Sequence, residues 1–406
     1  MSFRRDLARR SPKEWAVRLV LVVLAGGLGY YSLTFTLAQV MVKQNPGLAY
    51  LLAPYDGRVT AAYATLLAGP DATPKDRVRA DTLAKRALRQ DPTAVSAVAT
   101  LGINADARGD KTVARRYFTY AQKLTRRDLR TQLWMIENAV ERGNMPGALH
   151  EYDVTLRVFP NLDGMLYPVL ASASSDPAIR AELVKILAGK PMWGEGFINF
   201  VASNGPDPQS TAALFLRLRR AGVPIPEKAR AGTVDALIAA GQRDAAWSYY
   251  TALRPVADRR RSRDPQVVAM FERPSQLDWA PINDGGLTTS IQSGVFDFAA
   301  PASVGGPMLR QLQMLPPGSY RLTGHSIGIE QADGARPYWV LTCQSGRELG
   351  RVEVPNSSVS NGNFTGVFSV PADCPMQILM LMARPSDAVA GLSGQFDQVA
   401  LVPAGH

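Results

Sequence analysis

The sequence predicts a multidomain protein of mixed α and all-β class, with one apolar helix near the N-terminus, an α-solenoid through the middle and a C-terminal β-sandwich of jelly-roll type. Three observations predict it. Residues Leu19 to Val42 carry no charge. A set of small and aromatic residues recurs every 34 residues between 61 and 162. Beyond about residue 271 the apolar positions switch from helical spacing to alternation, punctuated by Gly, Pro, Asn and Asp. A chain of 406 residues, 46% of them apolar, is long enough for more than one core.

The basic residues Arg4, Arg5, Arg9, Arg10, Lys13 and Arg18 precede the uncharged stretch. At about 1.5 Å per residue its length is about 36 Å, more than the roughly 30 Å of a bilayer's hydrocarbon core. Only Lys43 lies on the far side before Arg58, so the positive-inside rule places a tail over 1–18 in the cytoplasm, a transmembrane helix over 19–42 and the rest outside. A cleaved signal peptide competes with an uncleaved anchor, but the apolar run exceeds a typical signal core and no A-x-A pattern ends it. The Arg-Arg pairs also fit a twin-arginine signal, although topology explains them more simply.

In the solenoid, "LGINADARGDKTVARRYFTYAQKL" at 101–124 reads as two short helices joined at Gly109. In steps of 34, Leu101 maps to Leu67 and Met135, Ala114 to Ala80 and Ala148, Phe118 to Ala84 and Tyr152, and Ala121 to Ala87 and Thr155. Gly109 maps to Gly143, and Pro92 and Pro160 close the first and third units. A further unit carries Gly241, Ala246, Tyr250 and Leu253 at the same internal spacing. Small residues let paired helices approach, while the aromatic fills the groove to the next pair. The pattern resembles the tetratricopeptide repeat, with Arg126 departing from its final Pro. The helical region runs over 55–260, with its clearest repeats at 61–94, 95–128, 129–162 and 227–260. The Gly- and Pro-rich stretch between them implies distorted or shortened helical pairs over 163–226. "GPDATPK" replaces a tight glycine turn in the first unit. The resemblance implies a scaffold that binds protein partners in its groove and carries no chemistry. Ala114, Phe118 and Ala121 are read as core.

The net charge of +10 is uneven. From Pro265 onward there are 7 Arg, no Lys and 11 Asp plus Glu, so the basic excess lies in the first part of the chain. Its second concentration, "RPVADRRRSRDP", with Arg259, Arg260, Arg261 and Arg263, falls in an Arg-rich linker over 254–270. Charge this dense is expected to stay solvated or to meet an acidic or phosphate-bearing partner. Nucleic acid is disfavoured by an extracytoplasmic location and by the lack of interleaved aromatics.

The sandwich, over 271–406, is read from "SYRLTGHSIGI", "PYWVLTCQSG", "FTGVFSV", "MQILMLMA" and "FDQVALV". The phrases "QLQMLPPGSYRLTG", "VFSVPADCPMQILMLMARP" and "GQFDQVALV" make this part similar to carbohydrate-binding, galactose-binding-like jelly rolls. That resemblance implies a module that binds glycan or serves structure alone. Cys343 and Cys374 are the only cysteines, and outside the cytoplasm a disulfide is the simplest state, with free buried thiols as the alternative. Strand parity sets Trp339, Leu341 and Cys343 against Tyr338, Val340 and Thr342. Cys374, Met376, Ile378, Met380 and Met382 also share parity. If the bridge is in the core, Trp339 is too, and Tyr338 becomes the candidate sugar-stacking platform with Arg336, Gln344 or Glu348 for the hydroxyls.

An enzyme reading finds little support. His150, His325 and His406 lie on a repeat helix, on a strand and at the chain end, without metal or triad spacing. Carboxylate pairs such as Asp284 with Asp297, or Glu330 with Asp333, could serve glycoside hydrolysis, but carboxylates on β-domain loops usually face solvent. Asp297 and Asp397 are candidates for a structural calcium, and no other cofactor is expected. Asn356 and Asn363 open N-x-S/T triplets, which carry little weight in a bacterium. The expectation is a non-enzymatic, single-pass bacterial inner-membrane protein with its bulk in the periplasm, acting as a scaffold in envelope or exopolysaccharide assembly or export. A glycan-active enzyme, or a protein-only adaptor in secretion or outer-membrane assembly, are the alternatives.

Overall fold

The computed structural model describes residues 12–386 and 389–405, so the Arg4, Arg5, Arg9, Arg10 and His406 expectations lie outside the described residues. Among them the chain forms fourteen α-helices followed by two antiparallel sheets. It divides into two compact units, Met1–Asn161 and Leu162–His406.

The first unit opens with α1 (Pro12–Met41), which is long and apolar enough to cross a membrane. The short α2 (Pro46–Leu52) follows, then three helical pairs: α3 (Gly57–Leu67) with α4 (Pro74–Gln90), α5 (Val95–Ala107) with α6 (Lys111–Leu124), and α7 (Leu129–Glu141) with α8 (Met145–Val158). The second helices end at Gln90, Leu124 and Val158, in steps of 34. Starts are set by side-chain caps: Asp110, Asp128 and Asn144 each accept a backbone N–H three residues on, and Thr73 with Asp76 forms a capping box. Gly109 and Gly143 turn the chain at φ 82° and 67°, which an L side chain resists. The first pair lacks such a glycine and takes a longer connection, as its sequence implies.

Ala114, Phe118 and Ala121 are fully buried. The Phe118 ring stacks on Trp134 of the following pair, with centroids 4.4 Å apart. Its edge meets Gly102, where an added Cβ would stand 2.8 Å from the ring. Gly102, next to Leu101, thus leaves the space that the aromatic fills.

The second unit begins with four helices, α9 (Asp163–Ala173), α10 (Pro177–Ala188), α11 (Gly194–Asn204) and α12 (Pro208–Arg220). They run 11, 12, 11 and 13 residues, and α9 carries Pro168 within it. The pair α13 (Glu227–Ala239) and α14 (Arg243–Leu253) turns at Gly241, φ 72°. Its aromatic, Tyr250, has a different neighbour from Phe118: its hydroxyl donates to Asp278 at 2.8 Å, ahead of the first strand. Asp235 of α13 accepts the Gln276 N–H in the same segment. The segment that leads into the sandwich is therefore bonded to both helices of this pair.

Ten strands follow: β1 (Ala280–Pro281), β2 (Thr288–Gln292), β3 (Val295–Ala300), β4 (Gly306–Gln313), β5 (Gly318–Ile327), β6 (Tyr338–Cys343), β7 (Glu348–Glu353), β8 (Asn363–Val370), β9 (Gln377–Ala383) and β10 (Leu392–Pro403). One sheet runs β1-β4-β9-β6-β7 and the other β2-β3-β10-β5-β8. Phe296, Phe298, Phe368, Phe396, Trp339, Leu379 and Leu381 fill the space between them.

The Arg-rich linker departs from the solvated segment expected. Arg259, Arg260 and Arg261 reach solvent to different degrees, but Arg263 is only 6% exposed. Its guanidinium donates to the Leu277 and Leu312 carbonyls and to Gln313 Oε1, and its backbone exchanges hydrogen bonds with Gln311. Burial draws its pKa down to about 10, against the pull of Tyr250 and Asp278. The same segment pairs with β10, since Ser262 N donates to the Leu401 carbonyl and Val399 N to that of Pro265. Positional charge density misled here because one arginine of the run is a fold element.

Cys343 and Cys374 are disulfide-bonded, with Cα atoms 5.7 Å apart. Trp339 is fully buried, as expected of its parity. The parity of the second cysteine does not extend into β9, however. Cys374 precedes the strand, and the buried face is Gln377, Leu379, Leu381 and Ala383 rather than Ile378, Met380 and Met382. Reducing the bridge is expected to lower the sandwich's stability by about 3–4 kcal/mol, the chain-entropy value for a closed loop of this size, read by denaturation with and without reductant.

Candidate functional site

The candidate site is the solvent face of the β2-β3-β10-β5-β8 sheet. Strand alternation sends every aromatic of these strands inward and leaves polar residues outside. Register then aligns them across the sheet: Ser290 pairs with Asp297, Asp297 with Gln395, and His325 with Asn363. The ladder shifts between Phe396 and Gln398. Phe396 and Val399 are both fully buried, so the two residues between them, Asp397 and Gln398, face out together. The bulge thus adds one carboxylate to the row.

The row is ordered by its own hydrogen bonds. Gln395 Nε2 donates to Asp297 Oδ2 at 2.6 Å, and His325 Nδ1 lies 2.8 Å from Asp397 Oδ1. Five strands about 4.8 Å apart give it a length of about 19 Å. Ile327 and Val367, on the same face, are 41% and 60% exposed and add apolar surface beside the polar groups. Carboxylates that accept, an amide that donates and accepts, and an imidazole match the mixed donor and acceptor character of sugar hydroxyls.

The other predicted residues fall elsewhere. Tyr338 lies on the outer face of the opposite sheet, and its ring is covered by the guanidinium groups of Arg351 and Arg384, whose Cζ atoms are 4.2 and 4.7 Å from its centroid. Because β6 runs between β7 and β9, these arginines approach from its two sides. The open stacking platform expected of Tyr338 is therefore occupied by cations. Two of the companions expected with it are also engaged through their side chains. Glu348 binds Arg351 and raises its pKa, and Arg336 binds Asp333 and Glu353. Gln344 sits in the β6–β7 turn, its N–H donating to the Met376 carbonyl.

Asp297 and Asp397, paired in the sequence as calcium candidates, share one face with His325, which was read apart from them. Ser290 and Gln395 were missed, although the two polar residues in "FDQV" carry the signal of a bulge. Among the described residues no group of three or more His, Cys, Asp or Glu could hold a metal. The calcium candidates Asp297 and Asp397 each take a different partner, Gln395 and His325. Of the proposed acid pairs, Asp284 accepts the Gly285 N–H and Glu330 that of Ser358, while Asp333 binds Arg336. His150 is exposed on α8.

These strands define a two-sheet antiparallel sandwich with an open polar face. No protein family matches the sequence, and no curated protein matches it. Solved structures do. TmCBM61, in complex with beta-1,4-galactotriose, is 16% identical over 31% of this chain and 88% of its own, with a TM-score of 0.23. A CBM4 structure is 15% identical over 32% and 88%, with a TM-score of 0.24. A glycosylation-associated protein (Gap123) complex from Streptococcus agalactiae is 9% identical over 32% and 44%, with a TM-score of 0.22. At that identity and superposition the likeness carries no residue or ligand over to this chain.

Proposed function

We propose that the chain is a membrane-anchored periplasmic scaffold in envelope or exopolysaccharide assembly or export, which holds glycan on the open β2-β3-β10-β5-β8 face. Its α1 helix is the anchor, with the N-terminus cytoplasmic. Its tetratricopeptide-like helical pairs bind protein partners of a synthesis or export complex. The observation that supports the glycan reading best is the row Ser290, Asp297, Gln395, Asp397, His325 and Asn363, half-buried to exposed hydrogen-bonding groups on the outer face of one sheet.

The recognition proposed is by hydrogen bonds with flanking apolar contact, without aromatic stacking. Full-length protein in lipid nanodiscs, titrated against a panel of bacterial polysaccharides, tests it. Retention of at least one glycan with no released product is the expected outcome. Product release would instead make the sandwich a glycan-active enzyme, and retention of none would leave the chain a protein-only adaptor.

A further inference from the structure

We propose that the outer face of α6 is a binding site for an acidic polysaccharide, with a sugar ring stacked on Tyr120 and carboxylates paired with Arg116 and Lys123. The site lies in the first unit, and it stands whether or not the sheet face of the second unit holds glycan. Residues 111 to 127 contain six basic side chains and no acidic one. Packing uses only one side of the helix, since Ala114, Phe118 and Ala121 are its buried positions. Thr112, Arg116, Thr119 and Lys123 recur at intervals of three or four on the exposed side, with Tyr120 beside them.

These five side chains are uncommitted. Among the described residues, none of them enters a hydrogen bond, an ion pair or a ring contact. Together with Arg115 they border an open cavity of about 410 Å³. Arg115 is steadied there, its Nε donating to Asn138 Oδ1 at 3.1 Å. Tyr120 is 46% exposed, and its ring lacks the two guanidinium groups that cover Tyr338. Arg116 and Lys123 are two helical turns apart, about 10 Å along the axis, with Tyr120 between them.

This combination fits a carboxylated sugar chain better than other polyanions. The C–H face of a sugar packs on an aromatic ring, threonine hydroxyls exchange hydrogen bonds with sugar hydroxyls, and the two cations meet carboxylates. An acidic peptide would use the cations alone and leave Tyr120 and the threonines idle. The face is particular to this helix rather than a property of every repeat. At the 34-residue equivalents of Arg116, Tyr120 and Lys123, α4 carries Thr82, Arg86 and Arg89, and α8 carries His150, Val154 and Arg157. Arg86 donates to the Tyr50 hydroxyl, Arg157 binds Asp153, and Val154 is buried. Of the three second helices, α6 alone sets an exposed aromatic between uncommitted cations.

Full-length protein in nanodiscs of zwitterionic lipid, titrated with a short alginate oligosaccharide, tests this. Carboxyl-reduced alginate of the same length and a polyglutamate peptide are the comparison ligands. Alginate should bind, its carboxyl-reduced form should bind about tenfold more weakly, and Arg116→Gln/Lys123→Gln should lose about tenfold in alginate affinity. Tyr120→Ala should lose about fivefold while Tyr120→Phe keeps the wild-type affinity, which separates stacking from charge. Melting should match wild type in every variant, because these side chains are exposed. Asp297→Ala/Gln395→Ala, run in parallel, should leave alginate binding unchanged. No alginate binding, or binding that survives both the charge variant and Tyr120→Ala, would overturn the inference and leave the sheet-face reading standing. Polyglutamate bound as tightly as alginate, with Tyr120→Ala without effect, would overturn it too and make the face a site for acidic protein.

Discussion

Replacing Arg263 with Ala is expected to destabilise the sandwich by about 3–5 kcal/mol, because it strands buried acceptors. The Leu277 and Leu312 carbonyls and Gln313 Oε1 lose their donor together. Arg263→Lys should recover little, since one ammonium cannot supply the planar fork that serves acceptors in three directions. Hydrogen exchange of the β4 amides reads the effect locally, which matters in a chain of two units where one unfolding midpoint is not well defined. Unchanged β4 protection in Arg263→Ala would return the residue to the solvated linker its neighbours suggested.

The second large effect is expected at Phe118. Removing a fully buried ring costs about 3–5 kcal/mol, and here it empties the contact between successive helical pairs. Exchange should rise in α5, α6 and α7 together, because Phe118 meets Gly102 of its own pair and Trp134 of the next. A rise confined to α6 would mean that the pairs do not stabilise one another.

These two residues also mark what the sequence could and could not disclose. Phe118 was legible because stacking imposes a period: each pair needs small residues where helices cross and an aromatic toward its neighbour, so the same types return after 34 positions. Arg263 was not, because a basic run looks alike whether all its members are solvated or one turns into a core. The strands divide in a similar way. Alternation in β5, β6, β8, β9 and β10 is strong, whereas Thr-, Ser- and Gln-rich β2 and charged β7 resemble loops until their partners are placed. Parity identified Trp339 as core but failed for Cys374, since the chain bends before β9 begins.

The candidate face was the least legible part. Its residues come from five strands, and only register brings Ser290, Asp297 and Gln395 into one line and Gln398, His325 and Asn363 into the next. Tyr338 attracted the glycan reading as an aromatic among polar residues. Nothing local to it announced that Arg351 and Arg384, one on β7 and one after β9, would cover its ring.

The two faces of the sandwich can be set against each other in one measurement. Full-length protein in nanodiscs is titrated with the polysaccharide it retains, alongside the double variant Asp297→Ala/Gln395→Ala, His325→Ala and Tyr338→Ala, with melting recorded for each. Loss of at least tenfold in affinity for the first two, with melting and the Tyr338→Ala affinity unchanged, is the result expected of a glycan site on the open sheet. Affinity kept by the double variant and lost in Tyr338→Ala would contradict it and move recognition to the opposite face.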